Sequence, residues 1–271
     1  MPELPEVQTI VTELNRQVLR RRVLSCRIFR SAVIRGDADG FTRRVTGRKI
    51  AEIKRRGKYI LIVLDCNVTV VTHLRMTGKF VIAGCLRRRH RHDRLAFLLH
   101  DGRKLVFNDP RVFGRLEICN DIAKHSGLAK LGWEPWDEEI SASELRERLK
   151  GSAKPVKSLL LDQSFIAGIG NIYASEILYD AGIHPARKSN SLDGSELIRL
   201  IRSLRKILKK AIAENGTSIS DYRRVDNKTG NFQRFLKVYG REGESCVRCS
   251  KPIRKLRQNQ RSSFLCSSCQ K

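Results

Sequence analysis

The sequence predicts an α+β protein of more than one domain, and three observations predict it. Short apolar runs of strand length fill the first half, apolar residues at helical spacing fill the second, and two Cys-x2-Cys knuckles close the chain. With 271 residues and 41% hydrophobic content, the chain can bury a sizeable core and divides into two domains plus a small module.

The elements follow in order. Val7, Ile10, Val11, Leu14 and Val18 recur at helical spacing and predict a leading helix within residues 3–20. The period then shortens. Runs at Val23–Phe29, Ile50–Ile53, Tyr59–Leu64, Val68–His73, Lys79–Ile82, Leu95–Leu99, Lys104–Phe107 and Arg115–Ile118 are separated by turn signals such as Gly36-Asp37, Asp65-Cys66-Asn67 and Asp101-Gly102. Strands at this spacing predict a sandwich or barrel over residues 1–131. Composition shifts at Gly132-Trp133-Glu134-Pro135-Trp136, a predicted hinge over 132–136. Helical spacing resumes at Ser143–Leu149, Pro155–Leu161, Ile172–Asp180 and Ser195–Glu214, which gives a helical domain over 137–237. No internal repeat or long low-complexity segment is visible.

The last module, 238–271, is read from its cysteines. Cys246 and Cys249 form one knuckle, Cys266 and Cys269 the other, with sixteen residues between. Each knuckle turns the chain so that two thiolates face one ion, and two knuckles close a tetrahedral site with no open position for chemistry. One structural zinc per chain is the expectation. Paired disulfides are the rival; an expected reducing compartment and four scattered cysteines, Cys26, Cys66, Cys85 and Cys119, argue against them. Arg254, Lys255, Arg257 and Arg261 make the segment between the knuckles a basic finger, too small to fold without its metal.

Charge narrows the partners. Lys and Arg number 54 against 28 Asp and Glu, a formal charge of +26, so a polyanion is the natural partner and nucleic acid leads. Cationic surfaces also bind acidic lipids, but no apolar run reaches the roughly 18 residues of a membrane span. No signal peptide is recognised, and a cytosolic monomer is expected.

Candidate chemistry begins at Met1-Pro2-Glu3-Leu4-Pro5-Glu6-Val7. Removal of the initiator would leave Pro2 with a secondary amine, whose reference pKa near about 8 leaves far more of it unprotonated than a lysine. Attack on a carbonyl-like carbon would give an iminium. Glu3 and Glu6 can then divide into a general acid and a supporting charge. The plainer reading is a helix start, where proline and acids are favoured. Gly168-Ile169-Gly170-Asn171 offers a glycine turn and a helix N-terminus suited to phosphate, or an ordinary capped helix. Met76 in His73-Leu74-Arg75-Met76 and Arg111 and Phe113 in Asn108-Asp109-Pro110-Arg111-Val112-Phe113-Gly114 stand at turns. They are core residues or wedges between base pairs, with Arg111 able to present its fork to a base edge. Lys58 follows a glycine at a strand start.

These motifs, in this order and over essentially the whole chain, resemble the formamidopyrimidine-DNA glycosylase family of the Fpg/endonuclease VIII superfamily. Gln260-Arg261-Ser262 in the finger and Val238-Tyr239-Gly240-Arg241-Glu242-Gly243 before it add to the resemblance. It implies a β-sandwich, a helix-two-turn-helix domain and a zinc-ribbon hairpin. It also implies a glycosylase and AP lyase that flips an oxidised purine such as 8-oxoguanine or a formamidopyrimidine out of duplex DNA. Pro2 would attack C1′ with Glu3 as general acid, and β- and δ-elimination would follow. Lys58 and Arg261 would donate protons or clamp phosphates, Asn171 would hold flanking phosphates, and Glu6 would support the nucleophile. Met76, Arg111 and Phe113 would fill the gap left by the base, with Arg111 on the orphaned cytosine. His92, Lys154 and Lys157 would touch the DNA backbone. A capping loop over about 217–232 would cover the lesion, with Asn227 and Asn231 departing from the family's usual residues. Three alternatives remain open at this point: an endonuclease VIII-like enzyme for oxidised pyrimidines, a non-enzymatic zinc-ribbon binding protein, and an amino-terminal-proline tautomerase.

Overall fold

The computed structural model describes residues 1–218, 225 and 228–271, which pack as two compact units, 1–129 with 214–231 and 130–213 with 232–271.

The first unit opens with α1 (Leu4–Val18), whose apolar stripe, Val7, Ile10, Val11 and Leu14, is buried. Strand β1 (Val23–Ile28) joins a four-stranded sheet with β6 (Lys79–Ala83), β7 (Asp93–Leu99) and β8 (Lys104–Asn108), in the order β1-β7-β8-β6. A five-stranded sheet runs β2-β9-β5-β4-β3, built from β2 (Ile34–Arg35), β3 (Ile50–Arg56), β4 (Tyr59–Leu64), β5 (Val68–His73) and β9 (Arg115–Cys119). Leu95, Phe97, Leu105 and Phe107 of one sheet share a core with Ile60, Ile62 and Val70 of the other, so the architecture is a sandwich. Each strand expected from apolar runs is present. The segment around Gly36-Asp37 does more than turn: Asp37 accepts the N–H groups of Asp39 and Gly40 and starts α2 (Ala38–Val45). Only Phe41 and Val45 of that helix are buried, a two-residue stripe too short to show as a period.

The second unit holds α3 (Ala142–Leu149), α4 (Val156–Leu161), α5 (Asn171–Ala181) and α6 (Gly194–Ala213) around Tyr173, Ile177, Leu200 and Leu204. The expected hinge is already part of this unit. Gly132 and Trp133 donate to the carbonyls of Gln163 and Phe165, Trp133 is buried, and a side chain on Gly132 would strike two carbonyl oxygens at 2.3 Å. The finger is the antiparallel pair β10 (Arg254–Gln258) and β11 (Arg261–Leu265). Buried Glu176 on α5 ties the ribbon to the helices by accepting the N–H groups of Lys237, Val238 and Tyr239 at 2.8–2.9 Å. Its burial raises its pKa, against the lowering effect of those amides. Among the described residues no helix is long and apolar enough to cross a membrane.

Candidate active site and nucleic-acid interface

The start of the chain is built as a rigid corner. Pro2 is buried directly ahead of Glu3, the N-cap of α1. The Glu3 N–H donates to Glu6 Oε2 at 2.7 Å, and Glu6 Oε1 accepts the N–H of Thr217 at the same distance. Both oxygens of the buried Glu6 are thus used to fix backbone, one beside Pro2 and one on the segment following α6. That segment comes down on Glu6 through Gly216 (φ +79°), where a Cβ would lie 2.8 Å from Glu6 Oε1. Two helical turns further, buried Glu13 accepts the N–H of Val225 at 2.8 Å. Glu13 was missed by sequence reasoning; its signal is an acid at i+7 from Glu6 on the otherwise apolar stripe of α1. Of the two loop departures, Asn231 donates its N–H to Glu214, and Asn227 lies outside the described residues.

Lys58 sits in the β3–β4 turn behind Gly57 (φ +54°) and is only 6% exposed. The neighbouring strand end carries His73, edge-on to Tyr59 with ring centres 4.7 Å apart. Its Nδ1 accepts the Arg75 N–H at 3.0 Å. Desolvation, then the charges of Arg75 and Lys58, push its pKa down to about 3, so it is a neutral acceptor at any physiological pH.

Met76, Arg111 and Phe113 stand exposed on two adjacent turns. The buried carboxylate of Asp109 joins those turns: it accepts the Thr77 hydroxyl, the Arg111 N–H at 3.2 Å and the Gly114 N–H at 2.8 Å. Arg111 stacks on Phe113 with its guanidinium 4.7 Å from the ring centre, and Val112 between them adopts a left-handed φ of +58°. The turn therefore displays Arg111 and Phe113 as one element. His92 adjoins that turn, its carbonyl accepting the Asp109 N–H at 2.9 Å, and it is half-buried in a run with Arg91 and Arg94; desolvation and those cations lower its pKa.

The second unit assembles a second cluster. In the β10–β11 turn, Asn259 and Gln260 both have positive φ, the geometry of a tight primed hairpin, and this leaves Arg261 exposed. Asn171, the first residue of α5, donates its side-chain amide to the Ser262 carbonyl at 3.0 Å. Lys157, expected on the DNA backbone, is 2% exposed, and its ammonium donates to the Ser262 carbonyl and to Ser263 Oγ, both at 2.8 Å. It supports the finger from beneath. Lys154 is exposed, with its ammonium 3.9 Å from Asp162.

The four knuckle sulfurs lie within 4.8 Å of one another, with Cys246–Cys269 and Cys249–Cys266 at 3.9 and 3.4 Å. A tetrahedron with Zn–S bonds of about 2.3 Å has edges of about 3.8 Å, so the sulfurs fit a zinc ion closely. Tyr179 Oη at 3.2 Å and the Arg248 N–H at 3.4 Å contact Cys246 Sγ from outside, the kind of support that orients a thiolate ligand.

Sandwich, helical domain and four-thiolate finger define a class, the zinc-finger DNA glycosylases of helix-two-turn-helix type. Residues 1–116 match the formamidopyrimidine-DNA glycosylase N-terminal domain, 131–223 its H2TH domain, and 243–271 the zinc finger found in FPG and IleRS. The formamidopyrimidine-DNA glycosylase of Carboxydothermus hydrogenoformans is 43% identical over 272 residues, covering all of both chains, and that of Rickettsia africae 36% identical over 271 residues, covering 100% of this chain and 99% of its own. Lactococcus lactis Fpg superposes with a TM-score of 0.93 in a complex with abasic-site DNA and 0.92 in one with Fapy-dG DNA, each 34% identical over 99% of both chains. The chain belongs to the formamidopyrimidine-DNA glycosylase family.

Proposed function

We propose that this DNA glycosylase excises oxidised purines from duplex DNA by covalent catalysis at Pro2, in the cytosol and as a monomer. The observation that carries the reading is the corner at α1, where a buried Pro2 precedes an N-cap glutamate whose backbone is fixed by Glu6. A nucleophile held this way loses little orientational freedom on attack. With Met1 removed, the Pro2 nitrogen attacks C1′ while Glu3 delivers a proton that opens the sugar ring and the base departs. The nitrogen lone pair then forms the iminium, which acidifies the C2′ proton; loss of that proton expels the 3′ phosphate, and a second elimination expels the 5′ phosphate. Lys58 and Arg261 act on the departing phosphates. Asn171 keeps one N–H for a flanking phosphate while its other fixes Ser262, and Lys157 acts through the finger instead of touching DNA. Met76 and Phe113 fill the gap, and Arg111 reads the base opposite. His92 and Lys154 add backbone contacts. The zinc, when bound, pins the finger and takes no part in bond breaking.

Borohydride added during turnover of an abasic duplex should trap a covalent adduct that maps to the mature amino terminus. An additional amino-terminal residue should abolish trapping, and Pro2→Gly should retain part of it. An adduct mapping only to Lys58 would refute the assignment. One Lactococcus lactis relative was solved with DNA containing an oxidised pyrimidine, which favours a second, broader reading of the substrate range. Incision of duplexes carrying 8-oxoguanine, formamidopyrimidine or thymine glycol separates the two.

A further inference from the structure

We propose that the outer face of the four-stranded sheet carries a second binding site, for a free nucleotide. Strand alternation sends Leu95, Phe97, Leu105 and Phe107 into the sandwich core, so Ala96, Leu98 and Val106 face outward. The outward face of an antiparallel sheet is ordinarily polar and wet. Here it is apolar, and the segment 84–92 folds over it. Lys104 Nζ holds that segment by the Cys85 carbonyl, and Arg87 holds it by Asp93 at 2.9 and 3.3 Å. Beneath it remains a cavity of about 470 Å³, floored by Ala96, Leu98 and Val106 and walled by Phe29, Arg27 and Arg89. Small-molecule sites run from roughly 300 to 1,000 Å³.

The charges of the wall select the ligand. Arg87 is neutralised by Asp93, and Asp93 is itself saturated, accepting also the His90 N–H and the Asn108 amide at 2.8 Å each. Lys104 is engaged with carbonyls. Arg27 and Arg89 have no carboxylate partner among the described residues. Their guanidinium carbons lie 5.7 and 4.5 Å from the centre of the Phe29 ring. Two guanidinium groups set on one ring present donor forks suited to a phosphate. An apolar floor beside them suits a flat aromatic body, and a base joined to a phosphate has both parts. Inorganic phosphate would leave the floor uncovered, and the backbone of a duplex offers phosphates whose bases are already stacked.

The test is calorimetric titration of the full-length zinc-loaded protein with 2′-deoxyguanosine 5′-monophosphate, with the DNA surface occupied by a saturating tetrahydrofuran duplex. One nucleotide should bind per chain. Inorganic phosphate and deoxyguanosine should each bind at least about tenfold more weakly. Arg27→Glu with Arg89→Glu should weaken the nucleotide by about tenfold or more while leaving duplex affinity intact. Ser25→Trp, at an exposed position on the cavity edge, should block the site by bulk with the charges unchanged. Displacement of the nucleotide by the duplex, equal binding to either variant, phosphate binding as tightly as the nucleotide, or no saturable heat would each overturn the site.

Discussion

Each unit displays an exposed turn on a buried charge, and the two charges are opposite. In the sandwich, the anchor is the carboxylate of Asp109, which gathers the N–H groups of Arg111 and Gly114 and the Thr77 hydroxyl. In the helical unit it is the ammonium of Lys157, which gathers the carbonyl of Ser262 and the hydroxyl of Ser263. The sign follows from the backbone. A turn that points its amides inward needs an acceptor beneath it, while a hairpin strand that points a carbonyl inward needs a donor. The supports differ more deeply. Asp109 rests on strand ends whose core, Phe80 and Phe107, is complete, whereas the finger's own cluster is little more than Val238, Ile253, Tyr179 and the cysteines. One anchor reinforces a fold, and the other depends on a metal.

The sharpest way to break that comparison is to remove the metal. Cys249→Ser or chelation should release zinc and abolish detectable binding to lesion duplexes, because an unpinned finger cannot present Arg261. The sandwich should keep its sheet signal in circular dichroism through the same treatment. Full duplex affinity in metal-free protein would mean that Lys157 and Asn171 hold the finger unaided.

The anchors themselves come next. Asp109→Ala orphans three donors at once and should cost on the order of 3 kcal/mol in urea unfolding, with Arg111 and Phe113 losing their fixed display. Lys157→Met keeps most of the stem volume and should cost about 1–3 kcal/mol while retaining zinc. Its duplex affinity should fall across all lesions alike. If Lys157→Met instead lost affinity for only one lesion, Lys157 would be a reader of the base and the comparison with Asp109 would fail.

Neither anchor was legible as an anchor in the sequence, and the reason is physical. In the sequence Asp109 is only part of a turn and Lys157 only an expected contact to the DNA backbone, because composition gives the charge of a side chain and not the direction of the backbone groups it meets. Periodicity did recover the leading helix, eight strands and four helices, since burial of one face repeats along the chain. It missed α2, which buries two apolar residues, and β2, which is two residues long. The zinc site was legible in full because ligand spacing is itself local. Glu13 and Glu176 were invisible for the opposite reason: each meets backbone amides more than sixty residues away.

Arg111 offers a smaller and more selective effect. Its side chain is assigned to the base opposite the lesion, so Arg111→Ala should narrow the preference for cytosine over adenine by roughly 1–3 kcal/mol. Single-turnover excision of 8-oxoguanine against each of the four bases measures it. Arg261→Ala is the control from the other unit: a phosphate contact should weaken all four duplexes equally and lower the salt slope by about one. Equal losses for Arg111→Ala would place it with the phosphate residues.

The smallest expected effect concerns His73, beside Lys58 in the sandwich, and it appears only as pH changes. Desolvation, then the charges of Arg75 and Lys58, oppose protonation of His73 and take its pKa from 6.5 to about 3, and its neutral Nδ1 accepts the Arg75 N–H. The folded value lies below the unfolded one. Between those values the unfolded chain binds a proton that the folded chain refuses, so stability falls as pH drops from about 6.5 towards 3, by at most about 1.4 kcal/mol per pH unit. His73→Gln keeps an acceptor for Arg75 and removes the titration. Urea midpoints at pH 7.5, 6.0 and 5.0 should therefore show the wild type losing about 1 kcal/mol more than the variant on acidification, a figure discounted for the partial exposure of the ring. Parallel curves would mean that His73 titrates normally and that the turn carrying Met76 is not held by a neutral imidazole.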